Sequence, residues 1–377
     1  MDICIVNDRF NMGGVSRVTT QLAHSLLESG NQVSLIDFSG NNEFYYKVND
    51  KIRKPRVIRT RQLKGKIIMK LLNLKFSLDK HPLSIIDFYK DQYEDLITHL
   101  QENKYDCLIL CQGALTALVP YIKREIPSLK IVVWQHNEYE VYINQYYKKY
   151  INDYLNGIKF ANLVVCLTEE DRNKFMELNP NSKYIYNPLT ITNNEEDISN
   201  LKNKNIIFVG RLLTQQKGLD YLIKIGKEIN NDWKILVAGD GPDKENLIQM
   251  IRENKLETKI ILKGTLQNKE LVDLYNSGSI FISTSRWEGF GLVVTEAMSF
   301  GLPIISFETR GPKEILKNGK YGLLIEKNNI KEFCEKLNQL INDPVTRKVY
   351  QDKSLERSQH FNKDVILSEW ISILEKL

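Results

Sequence analysis

The stretch Ser285-Arg286-Trp287-Glu288-Gly289-Phe290-Gly291-Leu292-Val293-Val294-Thr295-Glu296-Ala297-Met298 decides how the rest of the chain is read. It follows the apolar run Ile280 to Ser283, which has strand length, and passes through two glycines into a segment with helical spacing. Glu288 and Glu296 have seven residues between them, so one carboxylate sits in the loop and the other in the first turns of the helix. A helix N-terminus offers unpaired N–H donors and partial positive charge, which suits a diphosphate without a metal ion. The glycines let a phosphate approach closely. Carboxylates are poor phosphate ligands but good bidentate acceptors for vicinal hydroxyls, one set on a ribose and one on a hexose. The constellation asks for a nucleotide sugar.

Upstream, the runs Asn205 to Val209, Trp233 to Ala238 and Lys259 to Leu262 precede Ile280 to Ser283, and Leu302 to Ser306 follows it, with helical segments between. Strands alternating with helices imply a parallel sheet covered on both faces. The same alternation fills the N-terminal half, where Ile3 to Val6 leads through the polar segment Asn7 to Gly14 into a helix at Val15 to Glu28. Further strands are expected at Gln32 to Ile36, Cys107 to Leu110, Lys130 to Trp134 and Asn162 to Leu167. Between the halves, residues 189–204 are rich in Asn, Glu, Asp and Lys and read as a linker. The expected α/β architecture is a lobe at 1–188, completed by a C-terminal helix at 360–377, and a second lobe at 205–359. Both are doubly wound and Rossmann-like, and they face a central cleft at the carboxyl ends of their strands, where ligands bind in such folds.

Composition agrees with this reading and excludes others. The 377 residues are too many for one ordinary core and suffice for two. The five cysteines, Cys4, Cys107, Cys111, Cys166 and Cys334, lie among apolar neighbours and read as reduced core thiols, with no metal site expected. Met1 to Asn7 enters a strand directly, with no signal-like leader, and no apolar stretch approaches the roughly 20 residues that cross a bilayer. A cytoplasmic protein whose membrane contact is peripheral is expected.

The Glu288 to Glu296 spacing in its strand, loop and helix context resembles the retaining GT-B glycosyltransferases of family 4. The resemblance implies that Glu288 binds a hydroxyl of the donor sugar, that Glu296 holds the ribose, and that the N–H groups of Gly291, Leu292 and Val293 bind the distal phosphate. Arg211 and Lys217, after the strand Asn205 to Val209, match the family's pair of cations on the pyrophosphate, where they would neutralise a departing diphosphate. In the first lobe, Gly13 and Gly14 match the glycine-rich loop that approaches the donor phosphate, and His136, after Lys130 to Val133, matches a histidine near the reacting sugar. Glu288 and His136 would then orient the sugar and stabilise its developing charge, without a protein nucleophile. Gly239-Asp240-Gly241 and Lys263 to Leu266 resemble turns beside the nucleotide, and Gly311 to Ile315 a further helix start. No cofactor is implied beyond the nucleotide-sugar co-substrate.

From Lys51 to Leu78 the sequence carries ten Lys and Arg residues and no acidic one, against a formal net charge of +5 for the whole chain. Within it, Lys66 to Phe76 has the pattern of a basic amphipathic helix, with Lys66, Lys70 and Lys75 as contacts to an anionic membrane surface or a lipid-linked saccharide acceptor. The alternative is a solvated basic face whose apolar residues pack onto the first lobe. Nucleic acid is not an expected partner, because the cations lack a recognition motif. The tyrosines Tyr139, Tyr142, Tyr146, Tyr147, Tyr150 and Tyr154 suit either sugar stacking or helix packing.

The expected activity is transfer of a hexose, from UDP-glucose or UDP-galactose by family frequency with GDP-mannose open, in assembly of a bacterial surface polysaccharide. A sugar-nucleotide epimerase and an inactive binding protein of the same architecture are the alternatives. A dinucleotide-binding dehydrogenase is disfavoured, since no Gly-X-Gly-X-X-Gly run follows the first strand.

Overall fold

Runs such as Cys107-Leu108-Ile109-Leu110-Cys111 are buried at every position, which a strand reaches only when helices cover both faces of its sheet. The structure, a computed structural model, describes residues 1–61, 63–191, 198–230 and 232–377, including all side chains of its helix Leu63–Asp79 except those of Leu63, Lys64 and Lys66. The described residues form two units, Met1–Tyr186 with Asp364–Leu377, and Asn187–Lys363. The chain thus changes unit after Tyr186 and returns at Asp364, against the expected 188 and 360.

In the first unit the strands are β1 (Asp2–Asn7), β2 (Gln32–Asp37), β3 (Cys107–Cys111), β4 (Lys130–Trp134), β5 (Leu163–Cys166) and β6 (Ser182–Tyr184). They pair in the order β2-β1-β3-β4-β5-β6, all parallel. The order reverses direction between β1 and β3, so the loops after these two strands diverge and leave a crevice at the carboxyl edge. The helix Gly14–Glu28 follows β1, burying Val18, Leu22 and Leu26 on one face. The C-terminal helix Lys363–Leu374 contributes Trp370, whose ring packs edge-on against Trp134 at 4.8 Å between centroids. Tyr142, Tyr147, Tyr150 and Tyr154 are buried and packed on one another, whereas Tyr146 is exposed. The five cysteines are buried and unpaired, and burial pushes the Cys107 and Cys111 thiols up to about 12, so they are inert as nucleophiles.

The second unit contains β7 (Asn205–Val209), β8 (Lys234–Ala238), β9 (Ile260–Gly264), β10 (Ile280–Ser283), β11 (Ile304–Phe307) and β12 (Leu323–Ile325). Their order is β12-β11-β10-β7-β8-β9, again parallel, and it is the dinucleotide-fold order with its switch point between β7 and β10. Of the stretch expected as linker, residues 189–191 and 198–204 are part of this unit, Ser199 donating its N–H to Phe300 O at 3.0 Å, and residues 192–197 lie outside the described ones. Among the described residues no helix is long and apolar enough to cross a membrane.

Candidate active site

The switch point of the second sheet brings together the two loops that the sequence singles out. The loop after β7 runs through Gly210 and Arg211 into the short helix Thr214–Lys217, which Gly218 ends in the left-handed conformation. The loop after β10 runs from Thr284 to Gly291. Several bonds tie the two together: the Thr284 hydroxyl donates to Lys217 O at 2.7 Å, and Arg286 donates its backbone N–H to Gln216 O at 2.7 Å. The Arg286 guanidinium also grips both Asp220 oxygens at 2.8 and 2.9 Å, donates to Thr214 O, and lies 4.2 Å from the Tyr221 ring centre. A planar fork with a bidentate partner and a ring beneath it is fixed in orientation, so Arg286 acts as a rivet between the loops.

That rivet sets Glu288 beside Lys217. The Lys217 ammonium bonds the Glu288 carboxylate directly, the Ser285 hydroxyl donates to the same oxygen at 3.3 Å, and the two charged side chains are only 12% and 15% exposed. The loop is held from the other side by the Gly311 N–H, which donates to Glu288 O at 2.9 Å. Gly291 then turns the chain at φ 101°, a value that side-chain-bearing residues avoid, and caps the helix Leu292–Ser299. The first intrahelical bonds come from the N–H groups of Val294 and Thr295 to Gly291 O. The N–H groups of Gly291, Leu292 and Val293 precede them and form the donor end of the helix.

Glu296 lies in the second turn of that helix and is buried. Its carboxylate accepts from the Tyr275 hydroxyl at 2.9 Å and from the Thr190 hydroxyl. Tyr275 comes from the helix Asn268–Asn276 and is itself fully buried, stacked on Phe300 at 5.1 Å. Neither Tyr275 nor Thr190 stands near Glu296 in sequence, and no spacing rule could have drawn attention to them. Arg211 is exposed at the end of β7. The Gly239-Asp240-Gly241 turn has a packing reason, since a Cβ on Gly239 would sit 1.9 Å from Gly210 O; it lets the β7 and β8 loops lie against each other.

In the first unit, Gly13 and Gly14 are exposed at the start of the helix after β1, and a Cβ on Gly13 would meet nothing within 4 Å. At the switch point of that sheet, Gln112, held at φ 87°, donates to the Asn7 side chain at 3.2 Å. His136 follows β4, with its ring 4.3 Å from that of Trp134. Its Nε2 is buried with no hydrogen-bond partner, and burial pushes the imidazole pKa down to about 3, so the ring is neutral at physiological pH. Lys70 and Lys75 are exposed on the helix Leu63–Asp79, and the side chain of Lys66 lies outside the described ones. Among the described residues, no group of three or more His, Cys, Asp and Glu side chains is placed to hold a metal ion.

Two parallel, doubly wound units of this kind constitute the GT-B class of glycosyltransferase fold. HepE of Anabaena in complex with UDP superposes with a TM-score of 0.77 at 19% identity, covering 100% of each chain. Sucrose-phosphate synthase of Thermosynechococcus elongatus gives 0.77 at 14% identity, covering 100% of this chain and 98% of that one. In sequence, the family described as Glycosyl transferases group 1 matches residues 191–357. An uncharacterized glycosyltransferase of Haemophilus influenzae is 30% identical over 368 residues, 96% of either chain. The amylovoran biosynthesis glycosyltransferase AmsD of Erwinia amylovora is 26% identical over 381 residues, 99% of either chain. The chain is a glycosyltransferase of GT-B type, and its residues 191–357 match the group 1 family.

Proposed function

We propose that the chain is a retaining, metal-independent member of family 4 that moves a hexose from UDP-glucose or UDP-galactose to a lipid-linked saccharide at the cytoplasmic face of the cell membrane, in assembly of a bacterial surface polysaccharide. The observation that carries this reading is the Lys217–Glu288 pair, shielded from solvent, on the two loops that flank the switch point, with Glu288 three residues before the donor end of the helix at Gly291. A diphosphate at that helix end would draw Lys217 to itself, and the Glu288 carboxylate would turn to a sugar hydroxyl. Arg211, exposed in the loop after β7, would add the second cation. The Thr190 hydroxyl on Glu296 occupies a position that a ribose hydroxyl would take over. Open space at Gly13 means that a bound molecule, not the fold, would demand glycine there.

In this reaction the acceptor hydroxyl attacks the anomeric carbon, the bond from that carbon to the diphosphate oxygen breaks, and the acceptor proton passes to the leaving phosphate. Lys217, Arg211 and the N–H groups of Gly291, Leu292 and Val293 would stabilise the leaving charge, each such donor contributing several kcal/mol at most in a water-poor site, about 3–4 kcal/mol. Neutral His136 would help to orient the sugar without repelling the developing positive charge on its ring. The donor class draws support from the relative solved with UDP, and the polysaccharide setting from the relative named for amylovoran biosynthesis.

The test is thermal stabilisation by UDP-, GDP- and ADP-sugars in EDTA, repeated on Glu296→Ala, because a ligand that binds only the folded chain raises its melting point. A shift selective for UDP-sugars that the substitution abolishes supports the reading. Absence of a shift with any of them overturns the donor site.

A further inference from the structure

The helix Leu63–Asp79 has two apolar faces, and among the described residues one of them packs onto the first unit while the other is exposed. Met69 and Leu72 pack against the core of the first unit and Phe76 is buried, at the i, i+3, i+7 spacing of a single face. Lys149 Nζ donates to the Asn73 side chain at 2.6 Å and fastens the helix on that side. Ile67, Leu71, Leu74 and Leu78, spaced i, i+4, i+7, i+11, form a stripe on the opposite face, and they are 52%, 60%, 58% and 78% exposed. Ile68, also exposed, widens it. At helical spacing Lys70 falls on one side of this stripe and Lys75 on the other, both exposed, in a segment with no acidic residue from Lys51 to Leu78. Four large aliphatic side chains in line, uncovered and bordered by ammonium groups, are costly in water and are the face an interfacial helix presents to lipid.

We infer that this outer stripe is a membrane-docking surface: Ile67, Leu71, Leu74 and Leu78 enter the acyl boundary of an anionic bilayer while Lys70 and Lys75 meet its headgroups. The occupant is lipid because both borders of the stripe, Lys70 and Lys75, carry positive charge and the helix has no acidic residue before Asp79 at its end. A second copy of the chain would bring lysine against lysine, whereas anionic headgroups match both borders at once. Because the inner face is anchored by Met69, Leu72 and Phe76, docking requires no rearrangement of the unit. The inference rests on the membrane-side reading of the acceptor and names the surface that would deliver the enzyme to it.

The experiment is flotation of the full chain with vesicles of phosphatidylcholine containing phosphatidylglycerol, and with phosphatidylcholine alone. The wild-type chain is expected to float with the anionic vesicles and to be released by salt. Leu71→Ser with Leu74→Ser should lower partitioning by about tenfold or more, with an unchanged unfolding midpoint because both side chains are exposed. Lys70→Gln with Lys75→Gln should lower it about twentyfold at low salt. Flotation that ignores the leucine substitutions overturns the inference, as does absence of flotation, or self-association that the leucine variant abolishes without any vesicle binding. Transfer to a water-soluble saccharide in the same preparation separates the two readings. A chain that turns over in solution and ignores vesicles refutes docking alone, and one that floats but consumes no nucleotide sugar refutes the transferase site alone.

Discussion

Replacing Tyr275 by Phe removes one oxygen and leaves the ring stacked on Phe300, so it isolates the bond from the phenol to Glu296. Donor and acceptor are both buried, the bond is 2.9 Å, and water cannot substitute for the missing hydroxyl. A hydrogen bond to a carboxylate contributes about 1.5–3 kcal/mol, and with the Thr190 hydroxyl retained the loss should be about 2 kcal/mol. For a unit the size of Asn187–Lys363, each kcal/mol moves the midpoint by roughly 2–4 °C, giving a fall of about 4–8 °C. Circular dichroism melting reads this directly. Since Glu296 is also the proposed ribose ligand, the freed carboxylate should hold the donor less well, raising its KM about tenfold for about 1.4 kcal/mol with kcat little changed. A midpoint and a donor KM both equal to wild type would refute the claim that Tyr275 positions Glu296.

Other substitutions divide the proposed roles. Glu296→Ala should chiefly weaken donor affinity, whereas Glu288→Ala should chiefly lower kcat, because in the proposed reaction Glu288 is freed for the sugar as Lys217 moves to the phosphate; steady-state kinetics with varied donor checks this, and unchanged turnover in both contradicts the assignment. His136 has a folded-state pKa of about 3 against about 6.5 unfolded, so the unfolded chain takes up the proton as pH falls below that value and the folded one does not. Stability is therefore lost between pH 6.5 and about 3 at up to about 1.4 kcal/mol per unit. Urea titrations at pH 6.5 and 5 should show wild type losing about 1.6 kcal/mol more than His136→Gln over that interval; equal losses would place the imidazole in contact with solvent.

Much of this was legible in the chain itself, for physical reasons that also mark where reading stops. Strands buried on both faces must be apolar throughout, so β1, β3, β4 and β7 announce themselves. The edge strands β6 (Ser-Lys-Tyr) and β12 (Leu-Leu-Ile) escape, because three residues carry no period and an edge strand need not be apolar on both sides. The loop holding Glu288 and Gly291 was recognisable as local chemistry. Its fastening by Arg286 to Asp220 and Tyr221, and the Tyr275 and Thr190 hydroxyls on Glu296, join positions distant in sequence, and no local pattern encodes such contacts. The tyrosine cluster suited packing or stacking equally, and burial of Tyr142, Tyr147, Tyr150 and Tyr154 decides for packing. The helix Leu63–Asp79 is apolar on opposite faces, so its sequence named the lysines but not which aliphatic residues would be left uncovered.

Transfer of a hexose with retention from a nucleotide sugar can be followed by proton NMR of the anomeric signal during consumption of UDP-α-glucose or UDP-α-galactose in EDTA, with water or a saccharide as acceptor. The first-formed product should carry the α configuration, and Glu288→Ala should slow its appearance. A β product would contradict retention, and no consumption of either donor with any acceptor would contradict the transferase site itself.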